Sequence, residues 1–117
     1  MSEITYRQEG DYLIPNIALE DTSEEPIRRY GRLRRAFLQE HRPIEWSRMV
    51  LRGDPFVHLR EIDRQAEELF DRLVAQMAKA EGVTEQLKAQ DQMEWVGRMN
   101  NIRSRAEEIV LREIVYN

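Results

Sequence analysis

Cysteine is absent from the 117 residues, and histidine occurs only twice, at His41 and His58. Without cysteine the chain cannot form disulfides, zinc fingers, iron–sulfur clusters or a thiol nucleophile, and two histidines exclude a histidine-rich metal site. Glycine and proline are sparse, with five and four residues, so the chain can form long uninterrupted elements. We therefore expect a protein without a metal or a cofactor.

Long apolar runs are missing as well. No segment approaches the ~20 apolar residues that span a bilayer, and residues 1–4 lack the basic and apolar regions of a signal peptide. Apolar residues make up 41% of the chain and charged residues 34%, a balance that favours elongated helices with a large surface. From these features we expect one domain, residues 1–117, in a cytoplasmic protein that does not contact a membrane.

The net charge of −4 conceals a basic segment between two acidic ones. Residues 1–25 carry seven acids and one arginine, residues 26–60 nine arginines and three acids, and residues 61–117 twelve acids and eight bases. The middle segment alone therefore has a net charge of +6. Arginine is well suited to bidentate binding of phosphate or carboxylate groups.

The residue pattern predicts a mostly α-helical fold with a short β-hairpin at its start. Alternating strand-type residues place the hairpin at residues 4–15. Two short helices follow, a basic helix at residues 26–41 and a second helix at residues 44–52. Pro26 suits the first position of the basic helix, and Pro43 ends it.

A long, coiled-coil-like helical hairpin is predicted to complete the chain. Apolar residues recur every three or four positions through residues 55–81 and 85–116, with a short turn at Gly82 between the two helices. Because the turn is short, the helices should pair antiparallel. This pairing places Ile109 and Ile114 near Leu59 and Ile62, and Trp95 near Leu73 and Met77.

The basic helix contains the candidate binding residues. Arg28, Arg32 and Arg35 lie at positions i, i+4 and i+7, on one helical face, and they are supported by Arg29, Arg34 and Arg42. Such a stripe can follow a nucleic-acid backbone, because each phosphate contact releases a condensed counterion. The same pattern fits a patch for an acidic protein, or a solvated face that the acids of residues 1–25 neutralise.

Catalytic motifs are absent from the sequence. It has no Ser/His/Asp arrangement, no glycine-rich phosphate loop and no His-Glu-x-x-His. Neighbouring carboxylates such as Glu67 and Glu68 diverge around a helix and do not form an acid–base pair. We therefore expect no enzymatic activity and no catalytic residues.

Several ordered stretches of the sequence resemble the transposon-encoded protein TnpV family, small proteins of bacterial integrative mobile elements. The matching stretches are GDYLIPN at 10–16, YGRLRR at 30–35, LQEHRP at 38–43, EGVTEQLKA at 81–89, QMEWV at 92–96, MNNIR at 99–103 and RAEEI at 105–109. The resemblance covers nearly the whole chain. It implies an accessory role beside transposon recombination genes, and it brings no catalytic residues with it.

Two functions follow from the resemblance and the arginine stripe together. The first is a non-enzymatic accessory protein that binds DNA, or the recombinase on DNA, through the basic helix. The alternative is a protein-interaction module that binds or inhibits a host or element-encoded protein without touching DNA. In either case we expect a homodimer, because a long two-helix ridge leaves apolar area exposed.

Overall fold

The computed structural model describes residues 6–9, 12–15 and 26–117 of the chain. Residues 26–117 contain five α-helices: α1 (Arg29–His41), α2 (Pro43–Arg52), α3 (Pro55–Ala80), α4 (Glu85–Gln90) and α5 (Gln92–Val110). Helix α5 continues directly into a π-helical turn, Leu111–Val115. Two four-residue strands, β1 (Tyr6–Glu9) and β2 (Tyr12–Pro15), pair antiparallel with each other.

The predicted fold class is wrong in two respects. Residues 26–117 hold five helices and no strand, and β1 and β2 pair only with each other, so the predicted β-hairpin is not an element of the helical body. A two-stranded pair buries too little surface to be stable by itself, and the side chains of residues 1–25 lie outside the described residues. The number of helices was also wrong, because the predicted last helix is divided.

Asp91 divides the helix that we predicted to run continuously over residues 85–116. Its backbone leaves the helical conformation (φ −150°, ψ 88°), and its carboxylate accepts a hydrogen bond of 3.1 Å from the backbone N–H of Glu94. Aspartate competes for backbone donors in this way and so starts a new helix. An acid followed three residues later by glutamate resembles a capping box, which marks the start of a helix. The prediction of one continuous helix depended on the spacing of apolar residues, which does not contain this signal.

The two long helices α3 and α5 run antiparallel, as predicted. Asp54 caps α3 by accepting hydrogen bonds from the N–H groups of Phe56 and Val57, and Gly82 turns the chain with φ +74°. Ile114 packs in the same core cluster as Ile62. At the opposite end, Trp95 packs in the same cluster as Met77. The 3-4 spacing of apolar residues therefore located two of the predicted contacts, whereas Leu73 packs in the cluster of Ile62 and not in that of Trp95.

The π-helical turn allows Val110 and Val115 to enter one core cluster. Both side chains are fully buried although they are five residues apart, a spacing that a regular α-helix would place on different sides. The N–H of Tyr116 bonds to the carbonyl of Leu111 at 2.8 Å, the i to i+5 pattern of a π-helix. The widened turn thus extends the core to the end of the described chain.

Helix α1 packs against α3 and against the C-terminal end of the molecule. Its buried residues include Tyr30 and Leu38, and Leu33 lies against the same cluster as Val110 and Val115. Helix α3 contacts both α1 and α5. The two-helix ridge expected from the sequence is covered along part of its length by the basic helix, and this packing decides which arginines face solvent.

Candidate nucleic-acid interface

A carboxylate from another helix caps the start of α1. Asp63 of α3 is buried, and its two oxygens accept hydrogen bonds of 2.6 Å from the backbone N–H groups of Arg28 and Gly31. A Cβ at residue 31 would lie 2.7 Å from the Asp63 carboxylate and 2.9 Å from the carbonyl oxygen of Leu59. Glycine is therefore required for α1 to approach α3 this closely.

This cap corrects the predicted start of the basic helix. We expected it to begin at Pro26, but α1 begins at Arg29, with Arg28 extended as the residue before it. The first N–H groups of a helix lack intrahelical partners, and Asp63 supplies one from 32 residues further along the chain.

Two of the six candidate arginines connect α1 to other helices. Arg28 donates to Glu67 of α3 at 2.9 Å, and Arg29 forms an ion pair with Glu107 of α5. The hydroxyl of Tyr30 donates a second hydrogen bond to Glu107 at 2.6 Å. Both guanidinium groups remain partly exposed, but each already has a carboxylate partner within the protein.

Arg34 points into the protein. It is only 7% exposed, and its guanidinium donates hydrogen bonds of 2.9 Å to the backbone oxygens of Val115 and Asn117 and one of 3.2 Å to Nε2 of His58. Carbonyls at a helix C-terminus lack intrahelical donors and favour a positive charge. Burial, then the neighbouring charge of Arg42, lowers the pKa of the Arg34 guanidinium below its ordinary value.

His58 is neutral in this arrangement, since its Nε2 must accept the hydrogen bond from Arg34. Burial and the Arg34 charge both lower the pKa of the imidazole, which agrees with that role. Through this contact His58 links α3 to α1. Among the residues described, no group of three His, Asp or Glu side chains is arranged to hold a metal ion.

The other three candidate arginines lie toward solvent. Arg32 is exposed and donates 3.0 Å to the carbonyl oxygen of Ile27, while Arg35 is half-buried and has no ion pair with any described residue. Arg42 lies over the ring of Phe37, and its guanidinium is 3.8 Å from Glu45. Of the predicted stripe, Arg32 and Arg35 thus keep their charges without a carboxylate partner in the described part of the chain.

Three arginines outside the predicted stripe extend this charge. Arg48 and Arg52 on α2 are exposed, Arg60 on α3 is half-buried, and none forms an ion pair with a described residue. Arg60 lines a shallow groove of about 450 Å³ together with Arg28, Arg64 and Val57. The charge count of residues 26–60 includes these three arginines. The spacing that predicted the stripe did not identify them, because they lie on other helices.

The protonation states of Glu107 and Tyr30 depend on each other, because the Tyr30 hydroxyl donates a hydrogen bond to the Glu107 carboxylate. Partial burial by itself raises the pKa of Glu107, but the hydrogen bonds from Arg29 and Tyr30 outweigh it and leave the pKa below its usual value. Burial, and then the bond to Glu107, raises the pKa of Tyr30 to about 12. Folding therefore favours the neutral phenol beside the ionised carboxylate.

We expect this contact to lose its stabilising effect at high pH. The pKa of Tyr30 is raised from 10.0 to about 12, so its contribution is complete below pH 10 and disappears as the pH rises through 12. Between these pH values the free energy of unfolding should fall by about 2 kcal/mol more in the wild type than in Tyr30→Phe. Urea unfolding of both proteins at several pH values measures the difference, and parallel curves would contradict the prediction.

The fold and the candidate site define a small helical protein. On α1, α2 and the first turns of α3 it carries arginines that have no carboxylate partner among the described residues. No helix among the described residues is long and apolar enough to cross a membrane. The family model of transposon-encoded protein TnpV matches residues 5–115, nearly the whole chain, and the protein belongs to this family. Comparisons with curated proteins and with solved structures found no match.

Proposed function

We propose that this TnpV-family protein is an accessory factor of its transposon that catalyses no reaction and binds DNA, alone or with the element's recombinase. Membership of the family makes it transposon-associated, and TnpV is not known as an enzyme family. The binding surface that we propose consists of Arg32 and Arg35 on α1, Arg48 and Arg52 on α2, and Arg60 on α3. We call these five residues the arginine surface.

The arginine surface differs from the arginines that follow it in the chain in how many of its members form ion pairs. This difference is the observation that supports DNA binding. The five guanidinium groups of the arginine surface have no carboxylate partner among the described residues. By contrast, four of the six arginines of α3, α5 and the π-helical turn that follow Arg60 form ion pairs, namely Arg64, Arg98, Arg105 and Arg112. Guanidinium groups without internal partners are available for phosphate oxygens.

Fluorescence anisotropy with a labelled transposon-end duplex and a scrambled duplex tests the proposal. The double variant Arg32→Glu/Arg35→Glu should bind at least tenfold more weakly, and its dependence of log K on log salt should be less steep by about 2. We leave Arg28, Arg29 and Arg34 unchanged because their contacts hold α1 in place. Binding of the wild type that is independent of salt would contradict the proposal.

Arg72→Glu/Arg103→Glu is the matched control. Both arginines are exposed, on α3 and α5, and neither has an ion pair with a described residue. The control makes the same change in net charge away from the arginine surface, so it should bind DNA nearly as well as the wild type. Circular dichroism and thermal unfolding check that all variants fold.

Flat anisotropy curves on both duplexes would favour the alternative, a module that binds or inhibits a host or element-encoded protein. The homodimer also stays a prediction, which sedimentation velocity of the wild type tests. The apolar flank that motivated it is partly covered by α1, and the most exposed large apolar residues are now on α2 and at the start of α5, namely Ile44, Leu51 and Met93.

A further inference from the structure

Helix α2 has apolar side chains on two sides, but only one of these sides packs against the rest of the protein. Trp46, Met49 and Val50 are half-buried on the side that packs toward α1 and α3. On the other side Ile44 is 71% exposed and Leu51 is 85% exposed. Ile44 and Leu51 lie two helical turns apart on this face, which the fold leaves open to a further contact.

Arginines accompany these two side chains. At 3.6 residues per turn, Ile44, Arg48 and Leu51 lie on one face, and Arg52 borders it. The nearest acid of the helix, Glu45, lies on the flank and is paired with Arg42. The face formed by Ile44, Arg48, Leu51 and Arg52, called the α2 face below, therefore combines aliphatic tips with positive charge that no described carboxylate neutralises.

The α2 face is also continuous with the proposed DNA-binding surface. Arg52, Asp54 and Val57 line one shallow groove. Val57 also lines the next, together with Arg28, Arg60 and Arg64 and the acids Glu61 and Asp63. Val57 is exposed between the two grooves. Exposed aliphatic side chains beside arginines distinguish ways of binding DNA, because phosphates offer nothing to aliphatic side chains. The major groove offers them only thymine methyl groups, whereas base steps in the minor groove accept Leu and Ile as wedges.

We propose that the α2 face enters the minor groove of DNA, that Ile44 and Leu51 insert at base steps, and that the duplex bends. This inference rests on the proposed DNA binding. The minor groove of regular DNA is about 6 Å wide, too narrow for a helix, so α2 reaches the bases only where the groove widens. Bending away from the protein widens it, and inserted aliphatic side chains keep the steps unstacked. Arg48 and Arg52 bind the phosphates on either side.

A bend is measured by energy transfer between dyes at the two ends of the transposon-end duplex at saturating protein. Wild-type protein should raise the transfer efficiency. Ile44→Ala/Leu51→Ala should abolish most of the rise, and should still bind with an affinity within about tenfold of the wild type, because the arginines remain. Its removed side chains are exposed, so the variant should fold normally.

Two further variants make the test specific. Met93→Ala/Val96→Ala removes two exposed apolar side chains from α5, and it should bend DNA like the wild type. Ile44→Leu/Leu51→Met keeps bulky apolar tips and should retain the bend. As an independent signal, 2-aminopurine at the unstacked step should brighten with the wild type and stay dark with Ile44→Ala/Leu51→Ala.

The outcomes separate this inference from the proposed function. Binding by anisotropy without any rise in energy transfer overturns the bending proposal and leaves DNA binding intact. An unchanged bend in Ile44→Ala/Leu51→Ala overturns the role of the α2 face. If the same variant instead dissociates a dimer in sedimentation velocity, the face is an interface with a second copy, and the proposal is wrong. Absence of binding to both duplexes overturns both proposals together.

Discussion

Arg34→Ala should lower the free energy of unfolding by about 4 kcal/mol, the largest loss that we expect from any single arginine. The side chain is buried and holds α1, α3 and the C-terminal end together through His58, Val115 and Asn117. Removing it leaves the buried carbonyl of Val115 without a donor. Hydrogen bonds from a charged group are worth more than neutral ones, and an orphaned buried acceptor adds its own cost.

Urea unfolding followed by circular dichroism measures this loss. Arg34→Lys should recover only part of it, because one ammonium on a flexible stem cannot reproduce the planar fork that reaches three acceptors. The neighbouring Arg35→Ala is the matched control, since Arg35 has no ion pair with a described residue, and it should change stability by less than about 0.5 kcal/mol. Equal effects at positions 34 and 35 would show that Arg34 is not the connecting residue described above.

Asp63→Ala should lower the free energy of unfolding by about 3 kcal/mol, because it leaves two backbone N–H groups at the start of α1 without acceptors. The carboxylate is 3% exposed, and both of its bonds are 2.6 Å long. Gly31 lets α1 approach α3 closely enough for this one carboxylate to reach both N–H groups. The first turn of α1 should therefore fray before the rest of the helix.

Asp63→Asn distinguishes the cap from simple packing. The amide has nearly the same shape but only one acceptor oxygen, so it should retain about half of the stability that Asp63→Ala loses. Glu67→Ala removes a half-buried carboxylate one turn away that pairs with the exposed Arg28, and it should cost less than about 1 kcal/mol. Hydrogen exchange of the Gly31 N–H reports the cap directly, and unchanged protection in Asp63→Ala would contradict this account.

Local patterns in the sequence were sufficient to locate most of the helices and their pairing. Asp54 caps the start of α3, Pro55 supplies a fixed φ at its first position, and Gly82 adopts the left-handed backbone of the turn that follows. Each of these properties belongs to a single residue type and can be read from the sequence. The 3-4 spacing of apolar residues placed Trp95 in the cluster of Met77 and Ile114 in that of Ile62. Each of these inferences depends on residues close together in the chain.

Long-range packing decided the rest, including the candidate site. Arg34 and Arg35 are adjacent and chemically identical, yet Arg34 is buried at the C-terminal end, whereas Arg35 is half-buried and has no ion pair with a described residue. Similarly, Arg29 meets Glu107 from a helix far along the chain. No local pattern encodes which side of α1 will face α3 and α5, because that depends on volumes and polar partners contributed by residues far away in sequence. The sequence therefore determined most of the helices and the excess of arginine, and only the tertiary structure determined which arginines meet a carboxylate among the described residues.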